Sequence, residues 1–307
     1  MARSVILDTD IGSDIDDTWA LAMLLASPEL NLQLITTVSG DTRHRAALCA
    51  RLLTAAGRQD VPIGIGIGGP LKLPPVLSGT PQAAFVGSDD AALSAHSMVH
   101  GDGVDEMITM ILTAPAPVTV IAIGPLTNIA EALRRCPQIV ERASLVGMHG
   151  SVRVGYRGAT APTPEYNVFA DIPAARAALS AAWDVCITPL DSCGSVVLKG
   201  DAYQQFCAYA RSHPGSMASM VLENYRAWLA AVGAPANRLL KRSTTLYDTV
   251  AIYLAFTREA LTMETLRITI DDVGYTREDA AGKAMQVATG WRDTEAFGSL
   301  LLERVCW

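Results

Sequence analysis

Short apolar segments alternate with helical patterns along the first half of the sequence, and this alternation restricts the chain to few folds. Apolar runs at 4–7, 32–38 and 61–67 have the length and composition of buried strands. Helical patterns at 17–26 and 43–56 separate them. A βαβαβ order of this kind places the strands parallel in one sheet, with helices on its faces.

The alternation continues past the middle of the chain. Residues 118–123 and 144–148 are predicted strands on either side of a helix at 127–134. Further helices are predicted at 203–210, 216–232 and 249–255. Because we find no linker and no repeat of fixed period, we predict one α/β domain over residues 1–307. Its central sheet should be mostly parallel and flanked by helices, in a Rossmann-like arrangement.

Composition excludes several classes of partner. The 307 residues carry a net charge of −7, which gives no broad attraction for nucleic acid or an anionic membrane surface. A long uncharged stretch at 112–130 is interrupted by proline and glycine, so we expect no membrane helix. The sequence enters a strand within a few residues of Met1, so we expect no secretory signal and a soluble, cytoplasmic protein. The six cysteines form no CxxC pair and indicate neither a zinc site nor a disulfide framework.

In parallel α/β sheets, ligands bind outside the carboxyl ends of the strands, where loops lead into helices. Three loops of this sequence have that position: 8–17, 124–128 and 148–167. A polar, loop-like stretch at 70–103 is long enough to cover a site as a lid. We therefore expect one crevice formed by these segments.

The first of these loops contains five aspartates within ten residues: Asp8, Asp10, Asp14, Asp16 and Asp17. Mutual repulsion of so many carboxylates is costly unless a cation neutralises it. Hard oxygen ligands without sulfur or histidine indicate Ca²⁺ or Mg²⁺, and calcium fits better where bidentate carboxylates take part.

Three other interpretations of the aspartates compete with a metal site of this kind. Aspartates in the first turn of a helix complement the helix dipole, but only the first turn benefits, and Asp8 and Asp10 stand at the strand end. A phosphotransferase that uses the first aspartate of a DxD strand end as its nucleophile is the stronger rival. An EF-hand calcium loop is disfavoured by the preceding strand and by the lack of a glutamate at its end.

Five segments in order resemble one known family. They are ILDTDIGSDIDDTWALAMLL at 6–25, AIGPLTNIAEAL at 122–133, the Met148-His-Gly-Ser segment, EYNVFADIPAA at 165–175 and YDTVA at 247–251. Together they resemble the nucleoside hydrolases, the inosine-uridine preferring N-ribohydrolases, over nearly the whole chain. The resemblance implies the nucleoside hydrolase fold and metal-dependent hydrolysis of an N-glycosidic bond.

The resemblance also implies a set of metal ligands. Asp10 would be a ligand of Ca²⁺ and also the general base that activates water. Asp17 would be a bidentate ligand, and the backbone carbonyl of Thr127 and the carboxylate of Asp248 would complete the protein's share of the coordination. The hydrolase chemistry fits these groups, because carboxylates and carbonyls around a sugar stabilise an oxocarbenium-like transition state.

The sugar contacts follow from the same resemblance. Asp16 would hold a ribose hydroxyl, Glu165 and Asn167 would bind the rest of the sugar, and Met148 would pack near the ring. An Asp14-Ile15 insertion precedes the Asp16-Asp17 pair, so Asp14 is an alternative to Asp16 as a contact of metal or sugar. Asp41 stands where the family often has asparagine after the second strand, and we include it among the substrate-binding candidates.

The largest departure concerns protonation of the leaving base. Inosine-uridine type members carry a histidine directly before the C-terminal metal aspartate, and this sequence has Tyr247 there. A tyrosine is a poorer acid at neutral pH, since its ordinary pKa is about 10. Either the base leaves more readily or another residue assists, and the candidates are His96, His100, His149, Tyr225 and Trp228.

Three hypotheses remain. The first is a calcium-dependent nucleoside N-ribohydrolase that acts on a small-molecule nucleoside. The second is a hydrolase of a modified nucleoside or another ribosylated metabolite, which Asp41 and Tyr247 favour. The third is a non-catalytic protein that binds ribose or nucleosides. The resemblance also implies a homodimer or homotetramer.

Overall fold

The computed structural model describes residues 2–70, 72, 77 and 79–307. Helices and strands alternate through its first two thirds, as the sequence predicts. The strands are β1 Arg3–Thr9, β2 Leu30–Thr37, β3 Ile63–Ile65, β4 Val99–His100, β5 Val118–Ala122, β6 Ala143–Gly147, β7 Val185–Ile187, β8 Leu261–Ile270, β9 Thr276–Glu278 and β10 Lys283–Trp291.

The helices pack on both faces of the sheet that these strands form. They are α1 Asp16–Leu25, α2 Thr42–Ala55, α3 Ala83–Val86, α4 Asp89–Ser94, α5 Gly103–Thr113, α6 Thr127–Arg135, α7 Tyr166–Ala170, α8 Ile172–Ser180, α9 Leu190–Cys193, α10 Gly200–Ser212, α11 Met217–Ala231, α12 Thr249–Leu254 and α13 Thr294–Val305. Short 3₁₀ turns occur at Pro137–Glu141, Tyr156–Gly158 and Ala236–Leu240.

The described strands form one sheet in the order β4-β3-β2-β1-β5-β6-β7-β10-β8-β9. Neighbours from β4 through to β10 run parallel, whereas β8 pairs antiparallel with both β10 and β9. The predicted single α/β domain with a mostly parallel sheet is confirmed. The chain builds the sheet outward from β1 in one direction and then starts again with β5 on its other side. The carboxyl ends of β1 and β5 therefore flank the point where strand order reverses, which is where such sheets bind ligands.

Strand β1 lies in the middle of the sheet because its residues are apolar on both faces. Leu7 pairs with Ile35 of β2 on one side and Ile121 of β5 on the other, and Val5, Ile6 and Leu7 are fully buried. Near-continuous burial of this kind is typical of a parallel strand covered by helices on both faces. The aspartates that follow β1 are therefore carried into the interior of the protein.

The C-terminal strands were not predicted. Strand β8, with the sequence LTMETLRITI, alternates apolar and polar residues, and much of its length is exposed or half-buried. It forms an antiparallel hairpin-like unit with β9 and β10, and β10 attaches this unit to β7. An alternating pattern gives a strand but does not specify its partner, so its place in the sheet depends on tertiary contacts.

The stretch predicted as a loop at 70–103 contains short elements. Helices α3 and α4 and strand β4 lie within it, while residues 71, 73–76 and 78 lie outside the described part. Among the described residues, no helix has the length and apolarity needed to cross a membrane. All six cysteines are unpaired, in agreement with the prediction from their spacing.

Two glycines let α5 approach the sheet directly. A Cβ at Gly64 in β3 would lie 2.5 Å from the Cα of Gly103, the first residue of α5, and 3.3 Å from the side chain of Thr36. Side chains at either glycine would separate the helix from the strand. The close contact is thus a backbone-to-backbone one that only glycine permits.

We expect Gly64→Ala to lower the free energy of unfolding by about 1–3 kcal/mol, the usual cost of overpacking. Gly298→Ala is the matched control, because Gly298 lies inside helix α13 with no atom near the new methyl group. That substitution should stabilise the protein by about 0.5–1 kcal/mol. Denaturant unfolding measures both, and equal stability of Gly64→Ala and the unaltered protein would contradict the packing described.

Candidate active site

A pocket of about 240 Å³ opens at the carboxyl edge of the sheet, where β1 and β5 lie side by side. Its walls come from five parts of the chain that are distant in sequence. Six carboxylates face it: Asp10, Asp14, Asp16, Asp17, Glu165 and Asp248. Two of the three predicted loops, 8–17 and 148–167, therefore line one crevice, whereas no residue of 124–128 does.

Three of these carboxylates form a tight group. Oxygen atoms of Asp14, Asp16 and Asp17 lie within 4.8 Å of one another, close enough to share one metal ion. Asp16 and Asp17 are buried because they occupy the first turn of α1, while Asp14 on the preceding loop is exposed. Asp10 at the end of β1 and Asp248 before α12 are buried and line the same pocket.

Burial makes the charged form of these groups unfavourable. Desolvation raises the pKa of Asp10 to about 7, although the guanidinium of Arg45 opposes the shift. Desolvation and the neighbouring aspartates together raise the pKa values of Asp16, Asp17 and Asp248 well above their ordinary range. The group therefore favours protons or a bound cation at neutral pH.

Arg45 of α2 lowers the pKa values of Asp10 and Asp17 through its charge, but its hydrogen bonds go to other groups and not to the carboxylates. Its Nη1 donates to the backbone carbonyls of Asp10 and Ile11, its Nη2 donates to Ser13 Oγ at 2.9 Å, and its Nε donates to the carbonyl of Ser39 at 2.7 Å. Within the described part of the chain, no ion pair involves a carboxylate of the pocket. The arginine instead fixes the backbone of the aspartate loop.

Asp8, the first aspartate of the cluster, lies behind the pocket. Its Oδ1 accepts hydrogen bonds from Asn128 Nδ2 at 2.7 Å and from the hydroxyl of Thr36. Asn128 also donates to the carbonyl of Thr37 and accepts from the backbone N–H of Ile67 at 2.8 Å. Asp8 thus ties β1 to its neighbours, and burial raises its pKa to about 7.

Glu165 and Asn167 form the opposite wall. Glu165 caps α7: its carboxylate accepts from the N–H groups of Asn167 at 2.8 Å and Val168 at 3.3 Å, and from Gly150 N–H at 2.9 Å. Burial raises the pKa of Glu165 to about 7, although these hydrogen bonds act to lower it. Asn167 Nδ2 donates to the carbonyl of Met148 at 3.0 Å. Both side chains therefore line the pocket in fixed orientations.

Tyrosines complete the lining, and sequence reasoning missed two of them. Tyr156, Tyr166 and the predicted Tyr247 all face the pocket. The rings of Tyr156 and Tyr247 meet edge to face at 6.2 Å, and the hydroxyl of Tyr156 accepts from the N–H of Tyr166 at 2.9 Å. Burial raises the pKa of Tyr247 to about 12. Tyr166 could have been predicted, because it lies between Glu165 and Asn167 in the sequence. No sequence pattern indicated Tyr156.

Two predicted contacts lie at the edge of this arrangement. Asp41 caps α2, with its Oδ1 accepting from the N–H of His44 at 3.0 Å, and it is not among the residues that line the pocket. Thr127 begins α6, and its hydroxyl donates to Asp171 at 2.7 Å. The contributions of Asp41 and of the Thr127 carbonyl therefore stay predictions.

None of the five candidates for protonating a leaving base lines the pocket. Each has a polar atom engaged with a group elsewhere. Tyr225 donates to the carbonyl of Arg242 at 3.1 Å, and Trp228 Nε1 donates to the carbonyl of Ser13 at 3.0 Å. Histidine nitrogens are held in the same way: His96 at the carbonyl of Val61, His149 at the carbonyl of Gly124 and His100 at the carboxylate of Glu106.

The family model described as inosine-uridine preferring nucleoside hydrolase matches residues 5–297. The chain belongs to the nucleoside hydrolase family. The non-specific ribonucleoside hydrolase RihC of Escherichia coli O1:K1 / APEC is 32% identical over 236 residues, which are 74% of this chain and 73% of that protein. Protein C1683.06c of Schizosaccharomyces pombe is 34% identical over 194 residues, 61% of each chain.

Solved structures of nucleoside hydrolases have the same fold. The plant nucleoside hydrolase PpNRh1 superposes with a TM-score of 0.77 at 20% identity, covering 100% of this chain and 99% of its own. The inosine-uridine preferring nucleoside hydrolase of Bacillus anthracis gives a TM-score of 0.76 at 17% identity, covering 99% of each chain. At these identities the similarity shows the fold and not the substrate.

Without a divalent cation, the stability of this nucleoside hydrolase should fall as pH rises from about 4 to about 7. The pKa values of Asp10 and Glu165 are about 7 in the folded chain, and those of Asp16, Asp17 and Asp248 are also raised. Unfolded carboxyl groups titrate near pH 4, so the folded state binds more protons than the unfolded chain over this range and loses them as pH rises through the folded pKa values. Tm values of the chelated protein across the range measure the effect.

The control is the same series with calcium in excess, in which the carboxylates stay deprotonated on the ion and the slope should be smaller. Cysteines and the amino terminus titrate alike in both series and cancel in the comparison. The opposing effect of buried His149, whose pKa is lowered to about 4, is likewise the same in both series. Equal slopes with and without calcium would contradict a cation at these carboxylates.

Proposed function

We propose that this chain hydrolyses the N-glycosidic bond of a ribonucleoside to give ribose and a free base, with Ca²⁺ as its cofactor. The proposal rests on one pocket lined by six carboxylates, none of which forms an ion pair with a described residue, in a chain of the nucleoside hydrolase family. Such a pocket attracts a cation and stabilises positive charge that develops on a sugar.

The donor set fits a hard divalent cation. All the side chains that would hold the ion offer carboxylate oxygens, which calcium prefers, and no cysteine or histidine lines the pocket among the described residues. Asp10, Asp17 and Asp248 would hold it, with the carbonyl of Thr127, and either Asp14 or Asp16 would add a further oxygen. A bound calcium ion would lower the pKa of a coordinated water.

Asp10 would act as the general base. Its carboxyl group is buried at the end of β1 and faces the pocket, with its backbone carbonyl held by Arg45. Burial raises the pKa of Asp10 to about 7 when no cation is bound, and a bound calcium ion would lower that pKa and keep the carboxylate charged. The carboxylate can then accept a proton from the attacking water.

The sugar would be bound between the aspartate loop and the wall opposite. Asp16 or Asp14 would accept hydrogen bonds from ribose hydroxyls, and Glu165 and Asn167 would bind the remaining hydroxyls. Because three backbone N–H groups hold the Glu165 carboxylate in place, its negative charge is positioned before substrate arrives. Fixed charge of this kind favours the oxocarbenium-like transition state over the neutral sugar.

The residue at position 247 favours a second candidate substrate. Tyr247 faces the pocket with its pKa raised to about 12, and no histidine lines the pocket among the described residues. A phenol of this kind is a weak acid at neutral pH. A modified nucleoside or another ribosylated compound whose leaving group needs little protonation would suit the site better than inosine or uridine.

Release of reducing sugar tests the proposal directly. A panel of purine, pyrimidine and modified ribonucleosides should give ribose with calcium present and none after chelation. Activity should return when calcium is restored to the chelated protein. A protein that binds nucleosides with calcium and never releases ribose would instead be a binding relative.

Asp10→Asn should lower kcat by about 10²–10⁴-fold, the usual contribution of a positioned general base. The same exchange at Asp293, an N-cap of helix α13 away from the pocket, should leave kcat unchanged, because asparagine caps helices equally well. Steady-state rates and Tm values of both variants are needed. An Asp10→Asn protein with an undiminished rate would exclude the proposed base.

Tyr247→Phe should keep kcat within about tenfold of the unaltered enzyme, since a phenol of such high pKa contributes little as an acid. Rates are measured on a ribonucleoside and on p-nitrophenyl riboside, whose leaving group needs no proton. Their comparison separates protonation of the leaving group from any other contribution of the side chain. A loss above a hundredfold that is confined to the ribonucleoside would show that the hydroxyl protonates the base.

A further inference from the structure

The backbone of the aspartate loop is held from the side opposite the pocket. Arg45 binds the carbonyls of Asp10 and Ile11, as described above. Two further carbonyls of the loop are bound by other elements: Trp228 Nε1 donates to the carbonyl of Ser13, and Gln82 Nε2 donates to that of Asp14. The carbonyls are thus used for anchoring, and the carboxylates are left to face the pocket.

Gln82 is held in one orientation by a second amide. It is fully buried, and its Oε1 accepts a hydrogen bond of 2.7 Å from Nδ2 of the equally buried Asn224 in α11. The Asn224 amide also donates to the hydroxyl of Thr18 at 3.0 Å. With its oxygen engaged by Asn224, the Gln82 side chain must present its NH₂ group to the loop.

The contact with Asp14 does not serve the local helix. Gln82 occupies the N-cap position of α3, but its side chain makes no capping bond there. It reaches instead to a residue 68 positions earlier in the chain. A buried amide directed away from its own helix and toward the aspartate loop indicates a role for the site.

Asp14 is the carboxylate that most needs such support. Asp16 and Asp17 are fixed by the first turn of α1, and Asp17 also accepts a hydrogen bond from Thr9. Asp14 lies before the helix and is exposed, yet it shares the group of oxygens within 4.8 Å. The position of its carboxylate therefore depends on what holds its backbone.

We propose that Gln82, oriented by Asn224, is a positioning residue that holds Asp14 where its carboxylate can bind the cation. This inference rests on the cation site of the proposed function. Gln82 comes from the stretch predicted as a lid, so that stretch would contribute to the site through the aspartate loop. Hydrogen-bonding partners of metal ligands typically change metal affinity by about 10–100-fold when removed.

The test is a double-mutant cycle on calcium affinity in the full-length protein. Gln82→Met keeps the length of the side chain and removes its donor, and it should weaken calcium binding by about tenfold or more. In an Asp14→Asn background the same exchange should have little further effect, because Gln82 acts through that carboxylate. Titration calorimetry with calcium chloride measures affinity, and Tm values of the chelated proteins report folding.

Gln204→Met is the matched control. Gln204 also donates from Nε2 to a backbone carbonyl, that of Leu240 at 2.7 Å, but it lies on the surface of α10. Its exchange should leave calcium affinity unchanged. If Gln82→Met does not fold, Asn224→Leu replaces it in the cycle, because it removes the group that orients Gln82 without touching the loop.

The outcomes separate this inference from the proposed function. Weaker binding in Gln82→Met that disappears in the Asp14→Asn background supports the positioning role. A lower Tm with unchanged calcium affinity, or effects that simply add in the double variant, overturns it and leaves the cation site intact. An unaltered protein that binds no calcium overturns the cation site and this inference together.

Discussion

Buried carboxylates that face one small pocket repel one another, and the structure around the site depends on how that repulsion is met. Asp10, Asp16, Asp17 and Asp248 are almost fully enclosed, and their pKa values are raised by burial and by each other. Within the described part of the chain, the protein supplies no cationic side chain that forms an ion pair with them. It supplies backbone anchors instead, so the acids are held at fixed positions for a ligand that brings positive charge.

The ordinary topology of a parallel α/β sheet is enough to bring these acids together. The carboxyl ends of β1 and β5 meet where strand order reverses, and loops from distant parts of the chain end at that edge. Helix starts then fix the side chains: Asp16 and Asp17 lie in the first turn of α1, Asp248 precedes α12 and Glu165 caps α7. Positive helix ends complement the carboxylates that the pocket requires.

The sequence predicted the parallel sheet and named all six carboxylates of the pocket, four from the local pattern of the aspartate loop and Glu165 and Asp248 from the family resemblance. Apolar runs specified β1 and β2, and the aspartates directly after β1 had to fall at a carboxyl edge. Local patterns could not predict which segments far apart in the chain contact each other. Strands β8 to β10 find their place only through pairing with β7, Tyr156 reaches the pocket across a turn-rich loop, and Trp228 uses its indole N–H on a loop carbonyl. These features depend on contacts between residues far apart in the chain.

The central claim is that the carboxylates of this pocket hold a divalent cation. Anomalous scattering from crystals grown with calcium chloride tests it most directly, because it locates the ion without reference to activity. We expect one strong peak per chain inside the pocket, at about 2.3–2.6 Å from carboxylate oxygens of Asp10, Asp17 and Asp248. Crystals that contain calcium at other positions and none at these carboxylates would contradict it.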